Sequence, residues 1–339
     1  MDFLHKFLGI ALPPLMLIVF SFTLAPFLFL KFLYFLKRSK YSENVAGKVI
    51  LITGASSGIG EHVAYEYARR RACLALIARR EDRLQEVANR ARQLGSPEVI
   101  VVPADVSKVE DCKRFVDETV NHFGQLDHLV NNAGVTRIEL FEDSIQFSDY
   151  ASIMVKIKTN MVAFLSHFCN KDINFWGSIY STHNAVPHLR KTKGKIVVLA
   201  STVAWLALPR LSFYNASKAA LISFFETLRV ELGSDIGITI VTPGLIKSEM
   251  SEATKLSKAK ATWILAKSTE GCAKAIVASA CRGDMYLTEP SWMKVMFWMK
   301  TMCPELHEYA KREACPALIA RRENHLREVS LKAYKLGSP

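Results

Sequence analysis

Lys48-Val49-Ile50-Leu51-Ile52-Thr53-Gly54-Ala55-Ser56-Ser57-Gly58-Ile59-Gly60 is the stretch on which the fold turns. Residues 48–53 read as a buried strand, apolar on successive positions rather than alternating. The strand runs straight into a turn with glycine at 54, 58 and 60, and a helical stretch follows from Glu61 to Arg71. Glycines there let the backbone approach a pyrophosphate, and a helix N-terminus offers free N–H groups and the positive end of a dipole. The spacing is G-x-x-x-G-x-G rather than the usual G-x-G-x-x-G. Taken alone the turn also reads as a tight strand-to-helix connection.

Outward from this unit the alternation continues. Strands are expected near 73–78, 98–102, 127–130, 195–200 and 238–242, each separated by a helix-length segment. This is the pattern of an α/β protein with a Rossmann-type, doubly wound parallel sheet covered on both faces. The second strand ends Ala78-Arg79-Arg80. Folds selective for NAD place an acidic side chain here to hold the ribose 2′-hydroxyl, whereas arginine suits a 2′-phosphate. A small residue followed by Arg79 therefore favours NADP(H); the competing reading has both arginines simply facing water.

Composition narrows the field. The chain has 339 residues, half of them hydrophobic, with 22% charged, which excludes a largely disordered protein. A formal charge of +12 raises the question of nucleic acid, but much of the excess sits at the ends. Residues 1–40 carry five basic side chains against Asp2, and residues 308–339 carry seven against four acidic ones. No long basic run lies between them, so nucleic-acid binding is a poor prior. Seven cysteines include no C-x-x-C pair and no metal-like cluster with histidine, which argues for a reducing compartment and free, packed thiols. No metal site is expected.

From Phe7 to Leu30 there are 24 residues without a formal charge. A bilayer core needs about 20 apolar residues, and the run is too long for a signal-peptide core, so residues 1–40 are expected to be a membrane anchor. Pro13, Pro14 and Pro26 leave two forms open, a tilted single span or a bent hairpin that dips into lipid and returns. Lys37, Arg38 and Lys40 follow directly and keep the remainder of the chain in the cytosol.

Further motifs stand at Ala104-Asp105-Val106, Asn131-Asn132-Ala133-Gly134, Ser201, Tyr214-x-x-x-Lys218 and Pro243-Gly244. Together with the glycine turn they resemble the short-chain dehydrogenase/reductase family, over residues 48 to about 290. The anchor with its prolines, joined to the run from Lys48, more narrowly resembles the oil-body steroleosins, hydroxysteroid dehydrogenases of the 11-beta-like group. The resemblance implies an NADP(H)-dependent enzyme that interconverts a secondary alcohol and a ketone on a sterol-like lipid. It also implies attachment to a lipid droplet or the endoplasmic reticulum, and a homodimer joined through helices beginning near Asn174 and Tyr214. Two rivals stay open: a lipid-droplet coat or scaffold with an inactive enzyme domain, and the same fold acting on another lipid carbonyl.

The chemistry has its own logic. Tyr214 and Lys218 are four apart on an expected helix and so share a face. A free tyrosine has a pKa near 10, and a nearby ammonium is expected to stabilise its phenolate. Tyr214 exchanges a proton with the reacting oxygen; Lys218 also holds the nicotinamide ribose, and Ser201 hydrogen-bonds the same oxygen. By resemblance, Asn174 completes a proton relay, with Asn160 as its competitor. Gly54, Ser56, Ser57, Gly58, Ile59 and Gly60 form the pyrophosphate turn. Asp105 resembles the adenine-contacting acid or is an ordinary helix cap. Asn131, Ala133 and Gly134 shape the cofactor pocket and steady the sheet. Pro243, Gly244, Ile246 and Ser248 match the segment near the carboxamide, with serine for the usual threonine. The Met- and Trp-rich stretch Ser291–Cys303 reads as an ordinary packed helix, with a sterol wall or membrane contact as alternatives.

Two segments interrupt the family pattern, so the chain is divided as 1–40, 41–307 and 308–339. Residues 308–339 repeat residues 66–97 at a constant offset of 242, with 21 identities in 32. Half a helix, a strand and a helix make no closed module, so a loosely packed appendage without a second cofactor site is expected. Residues 155–171, absent from the family pattern, begin with valine, whose codons begin GT, and end with lysine, one of whose codons ends AG. That is compatible with a retained intron.

Overall fold

The computed structural model describes residues 2–39, 42–136, 172–247, 266–306 and 308–309. The 155–171 insert with Asn160, Ser248, and all but the first two residues of the C-terminal repeat lie outside them. Two compact units are present, Met1–Asn44 and Val45–Pro339.

The second unit is built on strand β1, Val49–Thr53, every residue of which is buried. Only a central strand with both faces covered accommodates such a sequence. The other strands are β2 (Cys73–Ala78), β3 (Val99–Pro103), β4 (His128–Asn131), β5 (Lys195–Leu199), β6 (Gly237–Pro243), the two-residue β7 (Ile246–Lys247) and β8 (Lys267–Ser268), and β9 (Tyr286–Glu289). Seven of them form one sheet in the order β3-β2-β1-β4-β5-β6-β9, with every pairing parallel. The strands stand within a residue of the positions the sequence pattern placed them. β9 had no sequence signal, because Tyr-Leu-Thr-Glu is short and half polar. β7 and β8 pair with each other apart from the main sheet.

Alternate residues of each strand feed two cores. On one face Ile50, Ile52, Leu74, Leu76 and Val197 pack against α2 (Gly58–Arg69), α3 (Glu81–Gln93) and α7 (Thr269–Arg282). On the other, Leu51, Ala75, Ile77, Leu129 and Val198 meet α4 (Val109–Phe123), α5 (Gly177–Thr192) and α6 (Ser212–Leu232). Phe115 of α4 and Phe225 of α6 are fully buried, each contributing roughly 2–3 kcal/mol of transfer free energy. The helix after β1 lies on the first face and α5, on the way from β4 to β5, on the second. The crevice between β1 and β4 is therefore the topological switch point, where a ligand site forms beyond the strand C-termini.

The first unit is dominated by α1, Asp2–Ser39, a single helix of 38 residues that continues through Pro13, Pro14 and Pro26. The bent hairpin is thus not the form seen. Consecutive Ile18, Val19 and Phe20 are all exposed, as are Phe27, Leu28, Phe29 and Leu30. At about 100° per residue those runs circle the helix, leaving no polar face over these positions. The side chains at 2–6, 8, 9, 13, 17, 25, 31 and 34–39 lie outside the described set, and among the described residues no helix is long and apolar enough to cross a membrane.

The packed helix expected over 291–303 is also corrected. Ser291–Met293 is one 3-10 turn, and α8, Lys294–Met302, buries none of its side chains. Among the described residues its contacts include Trp205 against Phe297 at 5.5 Å between ring centroids and Lys300 Nζ donating to Trp205 O at 2.6 Å.

Candidate active site

The glycine turn is shaped by contacts that leave no room for side chains. Gly54 has φ +66°, the left-handed region, and a Cβ there would come within 2.8 Å of Ala133 Cα. The approach is locked by Asn132, whose Nδ2 donates to Thr53 O at 2.9 Å and Gly54 O at 3.0 Å. Thr53 Oγ1 accepts in return from the backbone N–H groups of Asn132 and Ala133 at 3.1 and 3.2 Å. A Cβ on Gly60 would strike the Asn132 amide, so Gly60 serves this lock. Gly60 does not line the cavity that opens here, whereas Gly54, Ser56, Ser57, Gly58 and Ile59 do. α2 begins at Gly58 with no side chain capping its first turn, leaving N–H groups for an anion.

That cavity, about 450 Å³, gathers the C-terminal ends of β1 to β6. From β2 it receives Ala78, Arg79 and Arg80. Arg80, not Arg79, reaches back to the turn, its Nη2 donating to Ser56 Oγ at 3.1 Å and Ser57 Oγ at 2.8 Å. After β3 come Ala104, Asp105 and Val106. Asp105 Oδ1 accepts from Ser107 N at 3.0 Å and Ser107 Oγ at 2.8 Å, capping the turn before α4 while still forming part of the wall. After β4, Ala133 and Gly134 line the cavity; Asn131 does not. The Asn131 side chain points into the second core and donates to Thr182 Oγ1 of α5 at 2.8 Å, so it steadies the sheet only.

The candidate catalytic side chains converge at the other end. Ser201 follows β5, donates to Pro243 O at 3.3 Å and accepts from Val203 N at 3.3 Å. Tyr214, in the first turn of α6, lines the same cavity as Ser201. One helical turn on, buried Lys218 has its Nζ 5.8 Å from the Tyr214 ring centre and donates to Leu199 O at 2.8 Å. Burial pushes the Tyr214 phenol up to about 12, opposed by the neighbouring Ser201 hydroxyl, and pushes Lys218 down to about 8. The expected phenolate stabilisation by Lys218 is therefore not seen. The ammonium is turned onto a carbonyl and is itself desolvated, so it does not offset the burial of the phenol. At neutral pH the arrangement holds a protonated tyrosine, a proton donor, beside a cationic lysine.

Asn174 lies in a π-helical turn, Asp172–Trp176, that leads into α5. Its Oδ1 accepts from Val135 N at 2.8 Å and its Nδ2 donates to Val135 O at 2.9 Å. A Cβ on Gly134 would lie 3.3 Å from Asn174 Oδ1 and 3.5 Å from Lys218 Nζ, so the absent side chain leaves Asn174 beside Lys218. Asn174 does not itself line the cavity. Pro243, Gly244 and Ile246 form the facing wall with Leu245, and Gly244 admits the sulfur of Met293 where a Cβ would stand. Val135, Ile173, Leu206, Leu208 and Leu211 add apolar side chains to the lining. Among the described residues no cluster of His, Cys, Asp and Glu suits a metal ion.

Asn132, Arg80 and Met293 each stood within a stretch singled out in the sequence, but none was given an individual site role there. Asn132 stood within the 131–134 motif, and only its tertiary contacts with Gly54 and Gly60 distinguish it there. Arg80 was indistinguishable from Arg79 without the turn of the chain, whereas Met293 stood in the Met- and Trp-rich stretch whose alternative reading was a sterol wall, and it lines the cavity.

Residues 48–259 match the short chain dehydrogenase family. The chain is 53% identical over 310 residues to "11-beta-hydroxysteroid dehydrogenase-like 3" of Arabidopsis thaliana, covering 91% of this chain and 94% of that relative. It is 49% identical over 325 residues to "11-beta-hydroxysteroid dehydrogenase A" of Sesamum indicum, covering 92% and 88% respectively. Among solved structures it is similar to the L-sorbose reductase of Gluconobacter frateurii complexed with NADPH and L-sorbose, at 25% identity and a TM-score of 0.62, covering 73% of this chain and 96% of that one. With a seven-stranded parallel sheet, a glycine turn at its switch point and Ser201, Tyr214 and Lys218 in one cavity, the chain belongs to the short-chain dehydrogenase/reductase family, oxidoreductases acting on CH–OH groups.

Proposed function

We propose that the protein is an NADP(H)-dependent hydroxysteroid dehydrogenase working at a lipid surface. One observation carries the reading: Tyr214, one turn from Lys218, lines the same cavity as Ser201, the glycine turn and a set of apolar side chains. The residues fit the dinucleotide. Gly54 and Gly58 keep the turn close and bare, the N-terminus of α2 faces anionic groups, and Arg79 and Arg80 suit a 2′-phosphate. The nicotinamide supplies or accepts a hydride. Tyr214 gives its proton to the carbonyl oxygen in reduction and takes it back in oxidation, Ser201 hydrogen-bonds that oxygen, and Lys218 supplies the nearby positive charge. Asn174 holds the Val135 backbone beside them.

The apolar lining of Val135, Leu206, Leu208, Leu211 and Met293 favours a sterol-like lipid over a sugar. The relatives named as hydroxysteroid dehydrogenases support that class. α1, with apolar side chains exposed around the helix at 18–20 and 27–30, is assigned as the attachment to a lipid droplet or the endoplasmic reticulum, with the remainder in the cytosol. Exposed Trp292, Val295, Trp298 and Met302 on and beside α8 are a second surface suited to lipid. A homodimer through α5 and α6 completes the reading.

The test measures NADPH consumption by the full chain in detergent across a panel of sterol and non-steroid lipid ketones. Tyr214→Phe removes the proton donor and is expected to abolish turnover while binding the cofactor normally. Activity above a few per cent in that variant overturns the catalytic assignment. No turnover by the wild type on any ketone or the matching alcohol favours the scaffold reading.

A further inference from the structure

The cavity wall Pro243–Ile246 is held from behind by two residues that never touch the cavity. Gly244 N donates to Glu289 O at 2.8 Å, and Lys267 N donates to Leu245 O at 3.0 Å. Glu289 is paired with Pro243 at the end of the sheet, and Lys267 with Ile246 in the small two-stranded sheet. The two side chains then close on each other, Lys267 Nζ lying 2.6 Å from Glu289 Oε1. The result is a ring: Gly244 to Glu289, across the ion pair to Lys267, and back to Leu245. The wall is thereby tied at Gly244 N to one member of the pair and at Leu245 O to the other.

Placement makes the ring more than surface decoration. The Glu289 side chain is only 11% exposed, so loss of Lys267 strands a carboxylate away from water. The lysine stem runs over the first turn of α7, and a Cβ on Gly271 would come within 3.0 Å of Lys267 Cε. Pro243 O also accepts the hydroxyls of Ser201 and Thr202, both at 3.3 Å, so the Pro243 end of the wall keeps its own tie to the residues after β5 when the pair is broken.

We infer that Lys267 and Glu289 are positioning residues, an ion pair that fixes the wall Pro243–Ile246 at the separation the nicotinamide nucleotide needs. This rests on the nucleotide reading of the cavity. A loosened wall raises the cost of ordering the site on binding, so the loss falls on cofactor affinity and only weakly on the chemical step.

The experiment titrates the full-length wild type, Lys267→Met, Glu289→Gln and the double variant with NADPH and with NADH, following protein fluorescence. Saturating kcat is measured alongside, with circular dichroism and the melting temperature for each protein. Each single change is expected to raise Kd about tenfold with kcat within about twofold. The double variant should be no worse than the weaker single, since one interaction is removed once. Lys267→Arg should restore affinity, which a contribution from the lysine stem alone does not predict. Should Lys267→Met fail to fold, Glu289→Gln and Lys267→Arg carry the same comparison. Unchanged Kd in the single variants, additive losses in the double, or a fall in kcat at unchanged Kd overturns the inference. A wild type that binds neither nucleotide overturns the nucleotide reading, and the inference with it.

Discussion

Replacing Asn132 tests the contact that joins the two sides of the switch point. Its Nδ2 bridges Thr53 O and Gly54 O at 2.9 and 3.0 Å, and its side chain occupies the space that Gly54 and Gly60 leave open. Asn132→Ala removes two partly buried hydrogen bonds, each worth about 1 kcal/mol net, and leaves two carbonyls facing a void. The expected loss is ~2–3 kcal/mol, or a fall of roughly 5–10 °C in melting temperature for a domain of this size. Asn132→Asp keeps the shape but points a carboxylate at two carbonyl oxygens, adding a further ~1–3 kcal/mol at neutral pH. The sign with pH follows. The folded state disfavours that carboxylate and raises its pKa above the unfolded value, so the deficit shrinks as pH falls and the acid regains a donor. Urea unfolding of the three proteins at pH 5 and pH 7.5 measures this. An Asp variant as stable as the Ala variant at pH 7.5, with a deficit indifferent to pH, refutes the reasoning. Weaker binding of NADPH should accompany both losses, because Gly54 is no longer held.

Three further outcomes are expected. Arg80→Ala and Arg79→Ala should each weaken NADPH more than NADH, and only the Arg80 change should also disturb the turn through Ser56 and Ser57; equal losses for both nucleotides would remove the 2′-phosphate reading. Burial lowers Lys218 from 10.5 to about 8, so the unfolded chain binds more protons between those values and the group's contribution to stability rises with pH across that window. Lys218→Met should therefore compare best with the wild type at pH 7 and lose ground toward pH 10.5, while turnover is lost at every pH; a stability gap that ignores pH would show that the ammonium is not desolvated. Removing residues 1–44 should yield a protein that no longer floats with lipid vesicles yet still binds NADPH, since the second unit begins at Val45. If the shortened protein floats, α8 is the contact to examine.

How much was legible follows from the range of the interactions concerned. The run 49–53, apolar on successive residues, announced a doubly covered strand because burial on both faces is a property of local sequence. Tyr214 and Lys218 share a face because four residues nearly complete one helical turn. Glycines at 54 and 58 were required by the turn itself. All of this depends on contacts within a few residues, and the sequence alone determined it.

Only the tertiary structure decided the rest. Whether Gly60 and Asn131 face the cavity or brace it depends on which neighbour each meets, Asn132 in one case and Thr182 in the other. The same is true of Arg80 reaching Ser57 across 23 positions, and of Met293 filling the space at Gly244. The pKa of Tyr214 reversed its expected direction because proximity along a helix says nothing about desolvation, which the surrounding fold imposes. Lys267 and Glu289 carry no motif at all. They meet because the chain returns to the sheet edge at β9, and a long-range pairing leaves no periodicity to read.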